Sequence, residues 1–418
     1  MVDIYRFKGY RPAEKQASKV PSVPYDVVSR DESRQILQEN PESFLKVIRS
    51  DALLPDSVEA ESDEVYDLAQ KNLASMIENG TLVQDDVEAV YLYRVKQGGN
   101  IYTGLVANIS TGNYQENKIK RHEHTRYDKE QDRTRHIETT SAHTGLVVLL
   151  YRDPGEVFSY LNNLVSEEPD SVVKTENGVV HELFCIREPA VLDAIEKMFS
   201  GIDALYIADG HHRAKSSVNV VEKRTAEGRL TPEAERFMAI IFAADRVKIH
   251  GYSRLVTDLG DYTRESFLAA LKERFDIRPY GEIDHTVFQI PPLRDADSNH
   301  VMHMYLGGIW YELSTPVADP DDPIASLDVS VLQKDVLEGM LGITDPRGDP
   351  RLQYLGGARP LSDLMEKVDW AKFTVAFSMQ PVQVESVLSI ADAGDVMPPK
   401  STWFEPKLLS GLVVHKID

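Results

Sequence analysis

The chain has 418 residues, 42% hydrophobic and 27% charged, a balance that fits a folded globular protein and excludes a disordered one. Its 46 lysines and arginines face 67 acidic residues, and the net charge of -21 argues against nonspecific binding to nucleic acid or an anionic membrane. Cys185 is the single cysteine, which excludes an internal disulfide and a multi-cysteine metal site. No signal-peptide core occupies Met1 to Arg11, and no apolar run approaches the roughly 20 residues that span a bilayer, so a cytoplasmic protein is expected. The length suggests two or three domains, or one elaborate domain.

Val20 to Ser29 carries two prolines and reads as extended. Ser29 is placed to cap a helix over 30–39, which Asn40-Pro41 ends. Residues 51–63 are acidic and read as a surface loop. The spacing of Val65, Leu68, Leu73, Met76 and Ile77 predicts an amphipathic helix over 64–79, closed by Gly80. Val90–Val95 and Ile101–Val106 flank Gln97-Gly-Gly-Asn100 and predict a hairpin. Residues 145–151 read as a buried strand, followed by helices over 154–165 and 189–199. Leu205–Asp209 is a strand, and Gly210 a turn that leads into a helix over 214–222. Further expected elements are a strand over 237–242, a helix over 263–275, a hairpin through Gly307-Gly308, a helix over 327–340, a strand over 373–377 and a helix near 381–391. Hairpins mixed with strand–helix units indicate an α+β class with mixed sheets.

Three polar clusters stand out from this background. In the first, Asp209-Gly-His-His-Arg213, a strand meets a glycine turn and a helix N-terminus. Unpaired N–H groups and the helix dipole favour an anion there, and Arg213 adds a planar fork suited to phosphate or carboxylate. The second, Lys118 to Arg135, is locally basic and also holds His122, Glu123, Asp128 and Asp132, oxygen and nitrogen ligands that suit acid–base work or Mg²⁺ bridging to phosphate. A solvated helix laced with ion pairs is the plainer reading of that stretch. His122-Glu123-His124 lacks the spacing of a zinc His-Glu-x-x-His site. The third, Lys400-Ser401-Thr402, offers an ammonium and two hydroxyls without a Walker A glycine pattern. Cys185 sits in an apolar strand pattern and reads as inert. Asp345 to Arg351 reads as a solvated turn.

Taken in order, Pro24-Tyr-Asp-Val-Val28, Ile119-x-Arg-His-Glu-x-Thr125 with Asp132-Arg133, Asp209 to Arg213, Leu327-Asp-Val329 and Met397-Pro-x-Lys-Ser-Thr402-x-Phe404-x-Pro-Lys407 resemble the domain of unknown function 1015 family. The resemblance covers nearly the whole chain, as a single family unit over 1–418. Within it an N-terminal lobe over 1–150 and a C-terminal lobe over 151–418 are expected. His250-Gly-Tyr-Ser-Arg254 departs from the adjacent His-Arg of many relatives, which puts a role for His250 in doubt. More distantly, Gly210-x-His212-Arg213 is similar to the Gly-x-His-Arg phosphate motif of the ParB/sulfiredoxin-like fold, which includes free-serine kinases and a CTP-hydrolysing partition protein. That similarity implies a ParB/sulfiredoxin-like core around the motif, elaborated by hairpins and helices.

The implied activity is phosphate transfer from ATP or ADP to free L-serine or a similar hydroxyl metabolite. Glu123, Asp209, His211 and His212 are the expected catalytic residues, with Glu123 and Asp209 also placed to hold Mg²⁺. Arg121, His122, Thr125, Arg133, Gly210, Arg213, Lys400, Ser401 and Thr402 are expected at the nucleotide phosphates, and Tyr25 and Asp26 at the substrate. Neither nucleic acid nor membrane is an expected partner, and self-association stays open. The alternatives are a ParB-like regulator that binds and slowly hydrolyses a nucleotide, a metal-dependent phosphohydrolase, and a sulfiredoxin-like redox enzyme, which a lone apolar cysteine supports poorly.

Overall fold

The computed structural model describes residues 1–165, 168–356, 359–370 and 372–418. They form two compact units, residues 1–247 with 406–418, and residues 248–405. Both mix helices with sheets, as the α+β reading expected.

The first unit is built on a nine-stranded mixed sheet. Its strands in chain order are β1 (Ile4–Tyr5), β2 (Val90–Gln97), β3 (Asn100–Ser110), β4 (Ile119–Lys120), β5 (Val147–Tyr151), β6 (Ser171–Lys174), β7 (Val180–Ile186), β8 (Leu205–Asp209) and β9 (Arg236–Ala243). Across the sheet they run β4-β8-β5-β9-β3-β2-β7-β6, and β1 pairs β3. The β4/β8 and β5/β9 pairs are parallel and the rest antiparallel. The β2–β3 hairpin turns through Gly98 and Gly99, both at positive φ, as a two-residue turn of this twist requires. Ile207, Leu149, Ile241, Phe199 and Val218 belong to one buried cluster that joins the sheet to its helices.

Four helices frame the polar clusters: α1 (Arg30–Glu39), α2 (Asp63–Glu78), α3 (Tyr127–Thr140) and α4 (His211–Ala226). The Ser29 hydroxyl caps α1 by accepting the Glu32 N–H, and Glu32 returns the bond to the Ser29 N–H. The stretch over 51–63 is only partly a surface loop. Its start belongs to a short 3-10 turn, Ser50–Leu53, where the buried Asp51 carboxylate pairs Arg49 at 2.8 Å. Residues 406–418 return to the first unit, where Val414 pairs Tyr10 and His415-Lys416 pair His143-Ala142.

The second unit holds a six-stranded antiparallel sheet in the order Asp276–Pro279, Ile309–Pro316, Asn299–Leu306, Val375–Met379, Ser253–Val256, Leu352–Leu355. Its hairpin turns through Gly307-Gly308 as the sequence indicates. The helix expected over 327–340 is a short α segment, Asp328–Val331, that widens into a π-helix over Leu332–Glu338. The wider turn changes the helical period, which a 3.6-residue pattern does not anticipate. Among the described residues no helix is long and apolar enough to cross a membrane.

Candidate functional site

The geometry begins at the edge of the first sheet. Because β4 and β8 are parallel and β5 is antiparallel to β8, three segments converge at one end of the sheet. They are residues 121–125 after β4, residues 209–213 after β8 and residues 143–145 before β5. Continuing the β4/β8 register, Ile119 with Leu205 and Lys120 with Tyr206, would bring Glu123 level with Asp209. A strand that ends in a helix N-terminus at such a convergence is a favourable place for an anionic ligand.

Gly210 has φ +91°, and α4 starts at once, at His211 rather than Ala214. The two histidines and Arg213 therefore occupy its first turn. A Cβ on Gly210 would stand 2.8 Å from Arg213 Nε, so the guanidinium folds back over the turn. Gly210→Ala should lower stability by about 1–2 kcal/mol through the left-handed backbone alone and also push Arg213 aside. Thermal unfolding and anion binding measured on the same variant check both effects.

Arg213 has 15% of its side chain exposed and lies 3.6 Å from Asp209 Oδ2. Its Nε is buried with no hydrogen-bond partner among the described residues. Beside it stands Arg133, whose guanidinium pairs Asp132 at 2.8 Å and covers the Tyr25 ring at 4.2 Å. Burial pulls the Arg213 pKa down, but Asp209, Asp26 and Tyr25 outweigh it and the pKa is raised overall, although Arg133 opposes them. Both guanidinium groups therefore stay charged. A cavity of about 30 Å³, the size of a bound water, is lined by Arg133, Arg213, Tyr25, His136, His143, Thr144, Gly145 and Ser410, among others.

The other expected residues of this unit fall around that centre. His122 and His211 are buried, with ring centroids 4.6 Å apart. Burial drives His122 down to about 4 and His211 well below its ordinary value, so both are neutral at physiological pH. Nε2 of His211 has no hydrogen-bond partner among the described residues. His212 Nε2 accepts the Arg126 N–H at 3.0 Å and ties α4 to the start of α3. The Thr125 hydroxyl donates to Glu130, and Arg121 is exposed, donating to the Tyr114 hydroxyl at 3.1 Å. Asp209 also meets Lys407 Nζ at 3.6 Å, so two cations flank it. Glu123 is half-buried and Asp26 exposed.

Lys400, Ser401 and Thr402 belong to the second unit. Ser401 is buried and its hydroxyl donates to the Pro398 carbonyl at 2.6 Å. Cys185 is half-buried, and burial pushes its thiol up to about 12, so it carries little thiolate at neutral pH. Among the described residues no group of three or more His, Cys, Asp and Glu side chains could hold a metal ion. A Mg²⁺ here would take most of its ligands from phosphate oxygens and water, with Glu123 and Asp209 as the carboxylates nearest the convergence.

Sequence reasoning missed His136, His143, Thr144, Gly145 and Ser410. None lies in a dense polar motif, and Ser410 reaches the cavity only because the C-terminal segment returns to this unit. Burial holds His136 at about 4 and His143 at about 3. An unfolded histidine titrates near 6.5, so below that pH the unfolded chain binds more protons than the folded one. The stability these neutral histidines contribute is present above about pH 6.5 and is lost as pH falls toward 4. Thermal midpoints should therefore drop between about pH 6.5 and 4.5, before most carboxylates protonate, and a flat profile there would contradict the burial of these rings.

Several solved structures show a loose likeness to the chain. A free serine kinase in complex with AMP is 14% identical with a TM-score of 0.36, over 72% of this chain and 88% of that one. A conserved hypothetical protein from Pyrococcus furiosus is 13% identical with a TM-score of 0.34, over 72% and 90%. SbnI with a C-terminal truncation, from Staphylococcus aureus, is 11% identical with a TM-score of 0.35, over 72% and 82%. No curated protein matches significantly. A family model described as "Protein of unknown function (DUF1015)" matches residues 4–330, and the chain belongs to that family.

Proposed function

We propose that this protein transfers a phosphoryl group from ATP or ADP to a small hydroxyl-bearing metabolite, free L-serine first among them. The observation that carries this reading is the largely shielded Arg213 guanidinium, folded over the Gly210 turn at a helix N-terminus with a second largely shielded guanidinium, Arg133, beside it. Phosphoryl transfer asks a protein mainly to position its reactants and stabilise spreading negative charge, and such a cradle supplies both. The Gly-x-His-Arg resemblance supports treating this strand, turn and helix as a ParB/sulfiredoxin-like core.

Arg213 and the first N–H groups of α4 hold phosphate, with Arg133 and Arg121 supplying further positive charge. His122 and Thr125 lie on the segment that faces this turn and complete the phosphate contacts. Glu123 accepts the proton of the attacking hydroxyl, and Asp209, held between Arg213 and Lys407, orients the cradle and joins Glu123 in holding Mg²⁺. His211, kept neutral by burial, and His212 stand beside the transferring phosphoryl. Tyr25 and Asp26 stand on the acceptor side. Bound Mg²⁺ would neutralise phosphate charge.

The test is to offer the purified protein ATP or ADP with Mg²⁺ and a pool of free amino acids, then search for phosphorylated products by mass spectrometry. A phosphorylated hydroxyl amino acid, lost in Arg213→Ala, supports the reading. Nucleotide consumed with only inorganic phosphate released would favour a phosphohydrolase or a slowly hydrolysing regulator. No nucleotide binding at all would sink it.

A further inference from the structure

Within the second unit, Arg254 lies on the strand Ser253–Val256, between Leu352–Leu355 and Val375–Met379. It is only 3% exposed. Its guanidinium donates to the carbonyl oxygens of Tyr252 at 2.6 Å and Pro399 at 3.4 Å, and lies 5.4 Å from the Tyr354 ring centre. No carboxylate pairs with it among the described residues. The other arginine buried among the described residues, Arg224, has Glu138, and the half-buried Arg133 and Arg213 have Asp132 and Asp209. Burial pulls Arg254 down to about 10, and only the tyrosines Tyr354 and Tyr252 oppose it. A charge withdrawn from water without a counter-charge is unfavourable, and an arriving anion would relieve it.

A second observation lies on the loop that Arg254 reaches. Lys400 follows Pro399, is exposed, and has φ +55°, a left-handed conformation rare for a lysine. Its ammonium lies 5.4 Å from the ring centre of Tyr252, whose carbonyl Arg254 holds. The backbone N–H groups of Lys400, Ser401 and Thr402 donate to no protein acceptor among the described residues. Successive free N–H groups around a left-handed residue form a concavity suited to an oxyanion. Tyr252, Tyr354, Thr402 and Trp403 are all half-exposed, so the buried guanidinium lies beneath a rim that water reaches.

We infer that Arg254, Lys400 and the Lys400–Thr402 backbone form an oxyanion site that takes a phosphate or carboxylate group of a small molecule. All of its residues lie in the second unit, and it does not depend on the kinase reading. Arg254 supplies a fixed, dehydrated fork from below, and Lys400 supplies a mobile charge from the solvent side.

The test is thermal unfolding and calorimetry of the full chain titrated with inorganic phosphate in one arm and acetate in the other, at matched ionic strength. It is run in the Arg213→Ala background, so that the first site does not contribute. One arm is expected to saturate, which names the group the site takes. Arg254→Met, added to that background, should abolish the saturable response while the ligand-free midpoint holds or rises, because an uncompensated buried charge has been removed. A purely structural Arg254 would instead lower that midpoint and leave binding intact. Lys400→Gln, exposed and harmless to folding, should weaken affinity roughly tenfold and decides the matter if Arg254→Met does not fold. Saturation in neither arm, or a response unchanged in the variants, overturns the site.

Discussion

Arg213→Ala is expected to lower phosphoryl-transfer turnover about a hundred- to a thousandfold, the loss typical when one preorganised contact to developing charge is removed. Nucleotide affinity should fall with it, since the same guanidinium meets the ground-state phosphates. The fold should survive. Among the described residues Arg213 has only a 3.6 Å ion pair to Asp209, and its Nε lacks a hydrogen-bond partner. Removing the side chain leaves Asp209 beside Lys407, so no carboxylate is stranded. Arg213→Lys should rescue little, because a point charge cannot reproduce a planar two-pronged contact. Steady-state turnover beside a thermal midpoint checks the claim, and full turnover in a folded Arg213→Ala protein would end the assignment.

The largest stability effect is expected at Arg224. This α4 residue has a 4% exposed side chain and donates to Glu138 at 2.7 Å, the Ile417 carbonyl at 3.0 Å and the Ser141 hydroxyl at 3.1 Å. One guanidinium thus joins α3, α4 and the C-terminal segment. Glu138 has only 8% of its side chain exposed, and alanine at 224 would leave it to Lys223 and Arg229, both much more exposed. Breaking a buried pair from one side costs about 3–5 kcal/mol. At roughly 2–4 °C per kcal/mol for a unit of this size, the first unit's transition should fall by about 10 °C. Arg224→Lys should recover part of that, since it keeps the charge but loses two of the three bonds. A midpoint within a degree of the parent's would contradict this account.

The elements most legible in the sequence were those with local signals. The Ser29 cap, the Gly98-Gly99 turn, the Gly307-Gly308 turn and the strand–glycine–helix at 205–213 are each specified within about ten residues by chemistry that acts at that range. The polar clusters around Arg121–Arg133 and Asp209–Arg213 could be seen as clusters, and the parallel β4/β8 pairing sets both at one sheet end. Distance in the chain concealed the rest. Nothing in composition marks Val247 as the point where the chain leaves the first unit, or Pro406 as the point of return. Ser410 and His143 carry no motif, and they line a cavity with Arg213 only through long-range pairing. Nothing in the sequence marks Arg254 as an uncompensated charge until its burial is known, because charge balance is a property of neighbours in space.

The passage of the chain between its units bears on how the protein is made. Residues 248–405 are threaded into the sequence of the first unit, and the two strands that begin and end them pair directly, Lys248 with Glu405 and His250 with Trp403. A ribosome extending the chain at about 5–20 residues per second delivers the last partners of Tyr10, Ala142 and His143 on the order of ten seconds or more after Val247 emerges. Until then the first unit lacks residues 406–418, which supply its last pairings. Released chains truncated after Glu405 should therefore resist protease in the second unit and be cut in the first.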